Sequence, residues 1–314
     1  MCLTAAVVIA STFLASSARN DEDSYTAAQN AQKAAERYSR QQKEKEWQAA
    51  LAYNRRLASH PQNLGDPLGP GGSSVGFRGD SEYRSFLNAP GDVMAVITIP
   101  RLQLRLTVHH GCENYVLQDA LGHLPGTSLP VGGKSSRVVI VGHRGLPGHT
   151  LFTYLPSLEN GDLVFLTVLG KTLAYRVHGR QIVKPTDTKA LEIQPGKDMI
   201  SLLTCTPYGI NTNRLIINAY RTKWPLGGMA PEVRSPLWFY IPILLFLFLL
   251  VLALIAYNVS RYRRRVAALH AVGRSAHGWF LPRRRDAVPS QANSKNGSGR
   301  ASRSNRPYQS NRPN

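Results

Sequence analysis

The chain has 314 residues, of which 43% are apolar, enough for one or two domains with a buried core. Its net charge is +19, but Asn258 to Asn314 holds 12 Arg and 1 Lys against 1 Asp, so +12 of it sits in a terminal tail directly after an apolar segment. That placement makes the charge a membrane-topology signal and removes nucleic acid from the expected partners.

Met1 to Ala18 is apolar and ends in the small residues Ser16, Ser17 and Ala18; it reads as a signal peptide or an N-terminal anchor. Residues 19–59 form a helical segment. From Ser24 to Ser59 the chain is rich in Ala, Gln, Glu, Lys and Arg and lacks Pro and Gly, which predicts one long helix or two shorter ones. Trp47, Leu51 and Leu57 mark a partly apolar face, and a solvated spacer and a packed helix are equally compatible with it. His60-Pro61 ends the helix. Residues 60–80 then carry Asn63-Leu64-Gly65-Asp66-Pro67-Leu68-Gly69-Pro70-Gly71-Gly72, a composition that resists regular structure and reads, taken alone, as a linker.

Residues 81–222 alternate short β-rich runs with Gly, Pro and Asn turns. Predicted strands are Val93–Ile99, Leu104–His109, Arg137–Val141, Leu163–Leu169, Thr172–Val183, Met199–Cys205 and Arg214–Tyr220, with an eighth near Thr127–Leu129. Such spacing predicts a closed barrel or a sandwich. Asn114–Leu121 and Thr150–Leu158 are predicted short helices. Residues 223–236 form a linker. Leu237 to Tyr257 then has no charge in 21 residues, the length of a membrane-spanning helix. Arg261, Arg263, Arg264 and Arg265 follow at once, which predicts a cytoplasmic tail, residues 258–314, with the residues before 237 outside the cell membrane. The tail is rich in Arg, Ser, Asn and Pro and is expected to be disordered.

The three cysteines, Cys2, Cys112 and Cys205, are too few and too scattered for a disulfide framework. No zinc-ligand spacing occurs. His109 and His110 lie near Cys112, but neighbours in a strand point to opposite faces, so neither a metal nor any other cofactor is expected.

One segment carries chemistry. Ser201-Leu202-Leu203-Thr204-Cys205 ends an apolar run, and Arg214 opens the next one, Leu215-Ile216-Ile217. Two such runs joined by a Pro- and Gly-containing loop read as adjacent strands, with Cys205 and Arg214 at the same end. A thiol beside a fixed cation is a plausible nucleophile. His143 follows the run Arg137–Val141, where a strand opens into a loop.

These segments resemble the sortase family. The match runs through Leu202-Leu203-Thr204-Cys205-Thr206-Pro207-Tyr208-Gly209, with Asn211, Asn213 and Arg214, and through Val141-Gly142-His143-Arg144-Gly145. Further matching pieces are Gly122 to Gly133 and Leu169 to Tyr175, so the resemblance covers roughly residues 92–221. It is nearest to class C, the pilin-polymerising branch. One departure is Ser201, where the family usually has Thr; the hydroxyl is kept.

The resemblance implies a mostly β fold, the eight-stranded sortase-type β-barrel with short helices, preceded by the helical segment and followed by the transmembrane helix. It implies that Cys205 attacks the Thr–Gly carbonyl of an LPxTG-like sorting signal and forms a thioester, and that His143 acts as general acid and base. Arg214 stays protonated, and its charge suits the developing oxyanion or the substrate carbonyls. Thr204, on the opposite strand face from Cys205, is expected to give support. The resemblance also implies a lid at 60–80, with Asp66-Pro67-Leu68 in place of an Asp-Pro-aromatic motif. Its Asp66 would pair with Arg214 and its apolar side chain would cover Cys205. Implied partners are pilins or surface proteins with C-terminal sorting signals, the membrane and the cell-wall precursor, with the chain itself a monomer. Two other readings stay open on the residues alone: a sortase that anchors single proteins to the wall precursor, and a non-catalytic membrane-tethered scaffold.

Overall fold

The computed structural model describes residues 2–60, 64–69, 81–88, 91–224 and 228–277. Met1, parts of the 60–80 and 223–236 segments and the tail beyond His277 lie outside the described residues. The chain divides into two compact units, residues 1–257 and 258–314.

Two helices precede the sheet: α1 (Cys2–Glu36) and α2 (Arg40–Ala58). A capping box separates them. The Ser39 hydroxyl accepts from the Gln42 amide at 3.1 Å, and the Gln42 side chain accepts from the Ser39 amide at 2.9 Å, which satisfies two donors that a helix start leaves open. The helix α2 is packed rather than solvated. Trp47, Ala50 and Tyr53 are buried in the core, with Leu51 and Leu57 against it. Asn54 is buried too, and it donates to the Leu129 carbonyl and accepts from the Leu129 amide.

After α3 (Ser81–Ser85) come β1 (Val93–Ile99), β2 (Leu104–His110), α4 (Asn114–Leu117), β3 (Leu121–His123), β4 (Ser136–Val141), β5 (Leu163–Val168), β6 (Lys171–Val183), β7 (Asp198–Thr206) and β8 (Asn213–Arg221). The eight strands close a barrel in the order β1-β2-β3-β4-β7-β8-β6-β5. Seven predicted strands agree to within one residue at each end. The eighth does not: residues 127–129 form no strand, and β3 lies earlier. Gly126, at φ +83°, turns the chain after Pro125. Thr127 and Ser128 then reach β4 partly through side chains, their hydroxyls accepting from the Val139 and Arg137 amides. Gly122 hid the true strand, because glycine reads as a breaker. It is required there, since a Cβ would lie 2.2 Å from the Gly111 carbonyl oxygen. The predicted helix at Thr150–Leu158 is instead a run of turns ending in a 3-10 turn at Leu155–Ser157, and α4 is shorter than predicted.

Alternation along β4, β7 and β8 sorts side chains between two clusters. Val138, Ile140, Ile200, Leu202, Leu215 and Ile217 fill the barrel. Val139, Val141, Leu203 and Ile216 face outward into a second cluster with Leu64, Leu117 and Leu124. The outward set continues with Arg137, Ser201 and Asn218. The Arg137 guanidinium is only 2% exposed and donates to Ser201 Oγ at 2.8 Å, Asn218 Oδ1 at 2.7 Å and the Glu192 carbonyl at 2.9 Å. Burial pulls its pKa down to about 10. The Ser201 hydroxyl in turn donates to Asn218 Oδ1 at 2.8 Å, so the hydroxyl kept at this position has a structural use. Arg137→Ala strips a partner from two strands, β7 and β8, and from the Glu192 loop. It is expected to lower stability by roughly 3 kcal/mol, read by urea unfolding of the detergent-solubilised chain.

The helix α5 (Leu237–His277) follows the barrel. Its apolar stretch is long enough to cross a bilayer and none of its most hydrophobic window is buried against protein, which makes it a candidate membrane anchor.

Candidate active site

Cys205 sits near the end of β7, directly opposite Arg214 at the start of β8. Both share the outward face with Leu203 and Ile216, which puts the sulfur outside the barrel interior. The β4–β7 ladder is parallel, with Val141 beside Leu203. His143 follows two residues past Val141 and Cys205 two residues past Leu203, so both lie at the same end of the β4–β7 pair. Gly142 keeps this alignment past the end of β4. Its amide donates to the Leu203 carbonyl at 3.1 Å, and its carbonyl accepts from Thr204 Oγ1 at 2.7 Å. Thr204, facing the other way from Cys205, thereby fixes the backbone beside His143. Gly142 also has to be glycine: a Cβ would press to 2.5 Å from Leu121 and 2.9 Å from Phe152.

The segment Leu64–Gly69 lies over this rim. Asp66 meets Arg214 with two parallel bonds: Arg214 Nε donates to Oδ1 at 2.9 Å and Nη2 to Oδ2 at 2.7 Å. Nη2 also reaches the Leu68 carbonyl at 3.3 Å, and Nη1 donates to the carbonyls of Asn211 and Asn213 at 3.0 and 3.1 Å. The guanidinium is thus held flat by loop carbonyls on one side and a carboxylate on the other, a geometry that suits arginine's planar fork. Asp66 shapes its own turn by accepting from the Leu68 amide at 3.3 Å. Leu64 and Pro67 are buried. Leu68 packs half-buried against the cluster containing Leu203 and Ile216, the residues two before Cys205 and two after Arg214.

Under this cover Cys205 is 7% exposed. Burial pushes its thiol up; Arg214 opposes that push and Asp66 reinforces it. The half-buried imidazole of His143 is pushed below its ordinary value by burial. Both shifts favour the neutral pair while the segment is closed.

The other histidines near a cysteine are engaged elsewhere. His110 pairs with Asp92 at 2.9 Å and contacts the Phe86 carbonyl at 2.8 Å, and His109 contacts Thr107 at 2.9 Å. Cys112 is fully buried and its thiol is raised well above the ordinary value by burial. Sequence reasoning missed Arg144, which spans two loops of the site: Nη1 donates to Thr206 Oγ1 at 3.3 Å and the guanidinium lies 5.6 Å from the centre of the Tyr208 ring. A lone arginine after His143 offered no signal for it.

A family model for the sortase domain matches residues 97–222. Sortase C-1 from Actinomyces oris is 38% identical, with 59% of this chain and 99% of that one covered at a TM-score of 0.55. Streptococcus pneumoniae sortase C is 32% identical, with 66% and 99% covered at 0.58. Among curated relatives, sortase D of Bacillus subtilis is 27% identical over 124 residues, and the match spans 40% of this chain and 60% of that relative. Sequence, barrel and site agree: the chain belongs to the sortase family, in its class C branch.

Proposed function

We propose that this chain is a membrane-anchored cysteine transpeptidase that joins pilin subunits. The Cys205 thiolate attacks the Thr–Gly carbonyl of an LPxTG-like sorting signal, the Thr carbonyl carbon becomes a thioester on sulfur, and the glycine-led fragment leaves as an amine. His143 gives that amine its proton and later takes one from the incoming lysine side-chain amine, which attacks the thioester, forms the amide and frees Cys205. Arg214 supplies positive charge where the oxyanion develops. The observation that carries this reading is the cross-strand Cys205–Arg214 pair, with His143 two residues past the end of the neighbouring parallel strand. Support for a pilin substrate comes from the sortase C structures this chain resembles, one from Group B Streptococcus described as pilus-related. Residues 1–18 serve export or anchoring, the apolar part of α5 holds the barrel outside the membrane, and the arginines that follow that apolar part stay in the cytoplasm. Fifteen residues between barrel and helix reach at most about 50 Å, so the site stays near the outer leaflet. Incubation with a sorting-signal peptide tests the reading: mass spectrometry should find the acyl adduct on Cys205.

The reading extends to a lid at 60–80, supported by the Asp66–Arg214 pair. Its carboxylate occupies the guanidinium that the substrate needs and raises the thiol. Removing Asp66 therefore lowers the Cys205 pKa, and at a fixed pH below it the thiolate fraction rises. For Asp66→Ala, iodoacetamide labelling of Cys205 should speed up, with the midpoint of its pH profile moved down. Unchanged labelling would reduce the segment to a linker.

A further inference from the structure

The loop that carries His143 is held from outside the barrel. The His143 carbonyl accepts from the Phe152 amide at 3.0 Å, and the Gly145 amide donates to Thr153 Oγ1 at 3.1 Å, so residues 143–153 close on themselves. Two neighbouring residues of α1 grip the far side of this loop. Asn20 Nδ2 donates to the Gly148 carbonyl at 3.1 Å. Asp21 Oδ1 accepts from the Thr150 amide at 2.9 Å, and Oδ2 accepts from Thr150 Oγ1 at 2.5 Å. Next to Thr150, Leu151 has φ +35°, a left-handed conformation that a branched side chain avoids unless its surroundings impose it. Phe152, the next residue, is fully buried in the core.

Asp21 has a third partner. Oδ2 also accepts from the Tyr240 hydroxyl at 2.9 Å, in the first turn of α5. The same turn of α1 continues this docking: Glu22 accepts from the Ser235 hydroxyl, and the Tyr25 hydroxyl donates to the Val233 carbonyl at 2.9 Å. One carboxylate therefore joins three elements that are distant in sequence: the segment after the export signal, the active-site loop and the start of the membrane helix.

We propose that Asp21 is a positioning residue for His143, clamping the 143–153 loop to α1 and to the membrane-proximal turn of α5. The inference rests on the transpeptidase reading for its kinetic consequence, but not for the clamp itself. Asp21 touches neither the thiol nor the imidazole. It acts by holding Thr150, and through the Leu151–Phe152 turn the Phe152–His143 bond, so that the imidazole keeps its place at the Cys205 end of the β4–β7 pair. The reaction then depends on membrane-proximal residues that are remote from the sulfur.

The test uses the full chain in detergent micelles on an Asp66→Ala background, so that lid closure does not limit the rate. Asp21→Ala should speed amide-hydrogen exchange at Thr150 and Phe152 while exchange in β4 and β7 stays unchanged, which separates loop release from unfolding. Acyl-enzyme formation at saturating sorting-signal peptide should slow about tenfold, with the peptide KM unchanged, because geometry rather than binding is lost. Thr150→Val should slow it in the same sense, and Thr150→Ser, which keeps both donors, should match the parent. The double variant Asp21→Ala, Thr150→Val should be no slower than Asp21→Ala, since both remove one linkage. Unchanged exchange, or faster exchange with a parental acylation rate, overturns the proposal. A parent that forms no acyl-enzyme overturns the transpeptidase reading instead, and that is decided before any Asp21 variant is made.

Discussion

Cys205→Ala is expected to abolish acyl-enzyme formation and to cut peptide cleavage by at least about a thousandfold, to the level that binding and Arg214 alone sustain. The loss is this large because no neighbouring group can replace the sulfur. His143 is an acid and base without an acyl-accepting role in this geometry, and Thr204 faces the other side of the strand with its hydroxyl committed to the Gly142 carbonyl. Of the other thiols, Cys112 is fully buried and held in the neutral form, and Cys2 lies in the apolar start of α1. Alanine is one atom smaller and the barrel core lies on the opposite face, so folding should be untouched; an unaltered circular-dichroism melt serves as the control. Mass spectrometry after incubation with a sorting-signal peptide reads the result. An adduct that survives the substitution would place the nucleophile elsewhere.

The chemistry of this chain was readable in its sequence because strands preserve simple arithmetic. Cys205 ends one run and Arg214 opens the next across a loop, and antiparallel pairing sets such ends opposite one another. His143 lies two positions past Val141, the end of another run, just as Cys205 lies two past Leu203, its partner in the parallel ladder. The reading of Asp66-Pro67-Leu68 came from resemblance, and geometry agrees for Asp66: the carboxylate lies on Arg214. Other features carry no local signature. β3 is three residues long and built around a glycine chosen for a close backbone approach. Arg137 resembles any strand arginine until two other strands and a loop close around it. Asp21 resembles any helix carboxylate until Thr150 and Tyr240, more than a hundred residues away, arrive at its two oxygens. Periodicity reports which face a residue takes within its own element, and these roles depend on which element takes the neighbouring place.

Arg214→Lys separates charge from shape, and its two readouts should move in opposite directions. Lysine keeps a positive charge near Cys205, so the electrostatic support of the thiolate is largely retained. It loses the planar fork. The paired bonds to Asp66 at 2.9 and 2.7 Å and the bonds to the Asn211 and Asn213 carbonyls at 3.0 and 3.1 Å cannot all be made from one ammonium. The lid then closes less tightly, and iodoacetamide labelling of Cys205 should accelerate. Acylation by a sorting-signal peptide should fall about a hundredfold, since the donors no longer sit where the oxyanion forms and one such donor is worth about 3 kcal/mol. Arg214→Ala removes the charge as well. Its lid is also released, yet the thiol loses the one group that pulls its pKa down, so labelling near neutral pH should be slower than in the lysine variant. A lysine variant that acylates at the parental rate would show that charge alone suffices and that the fork serves only to hold the lid.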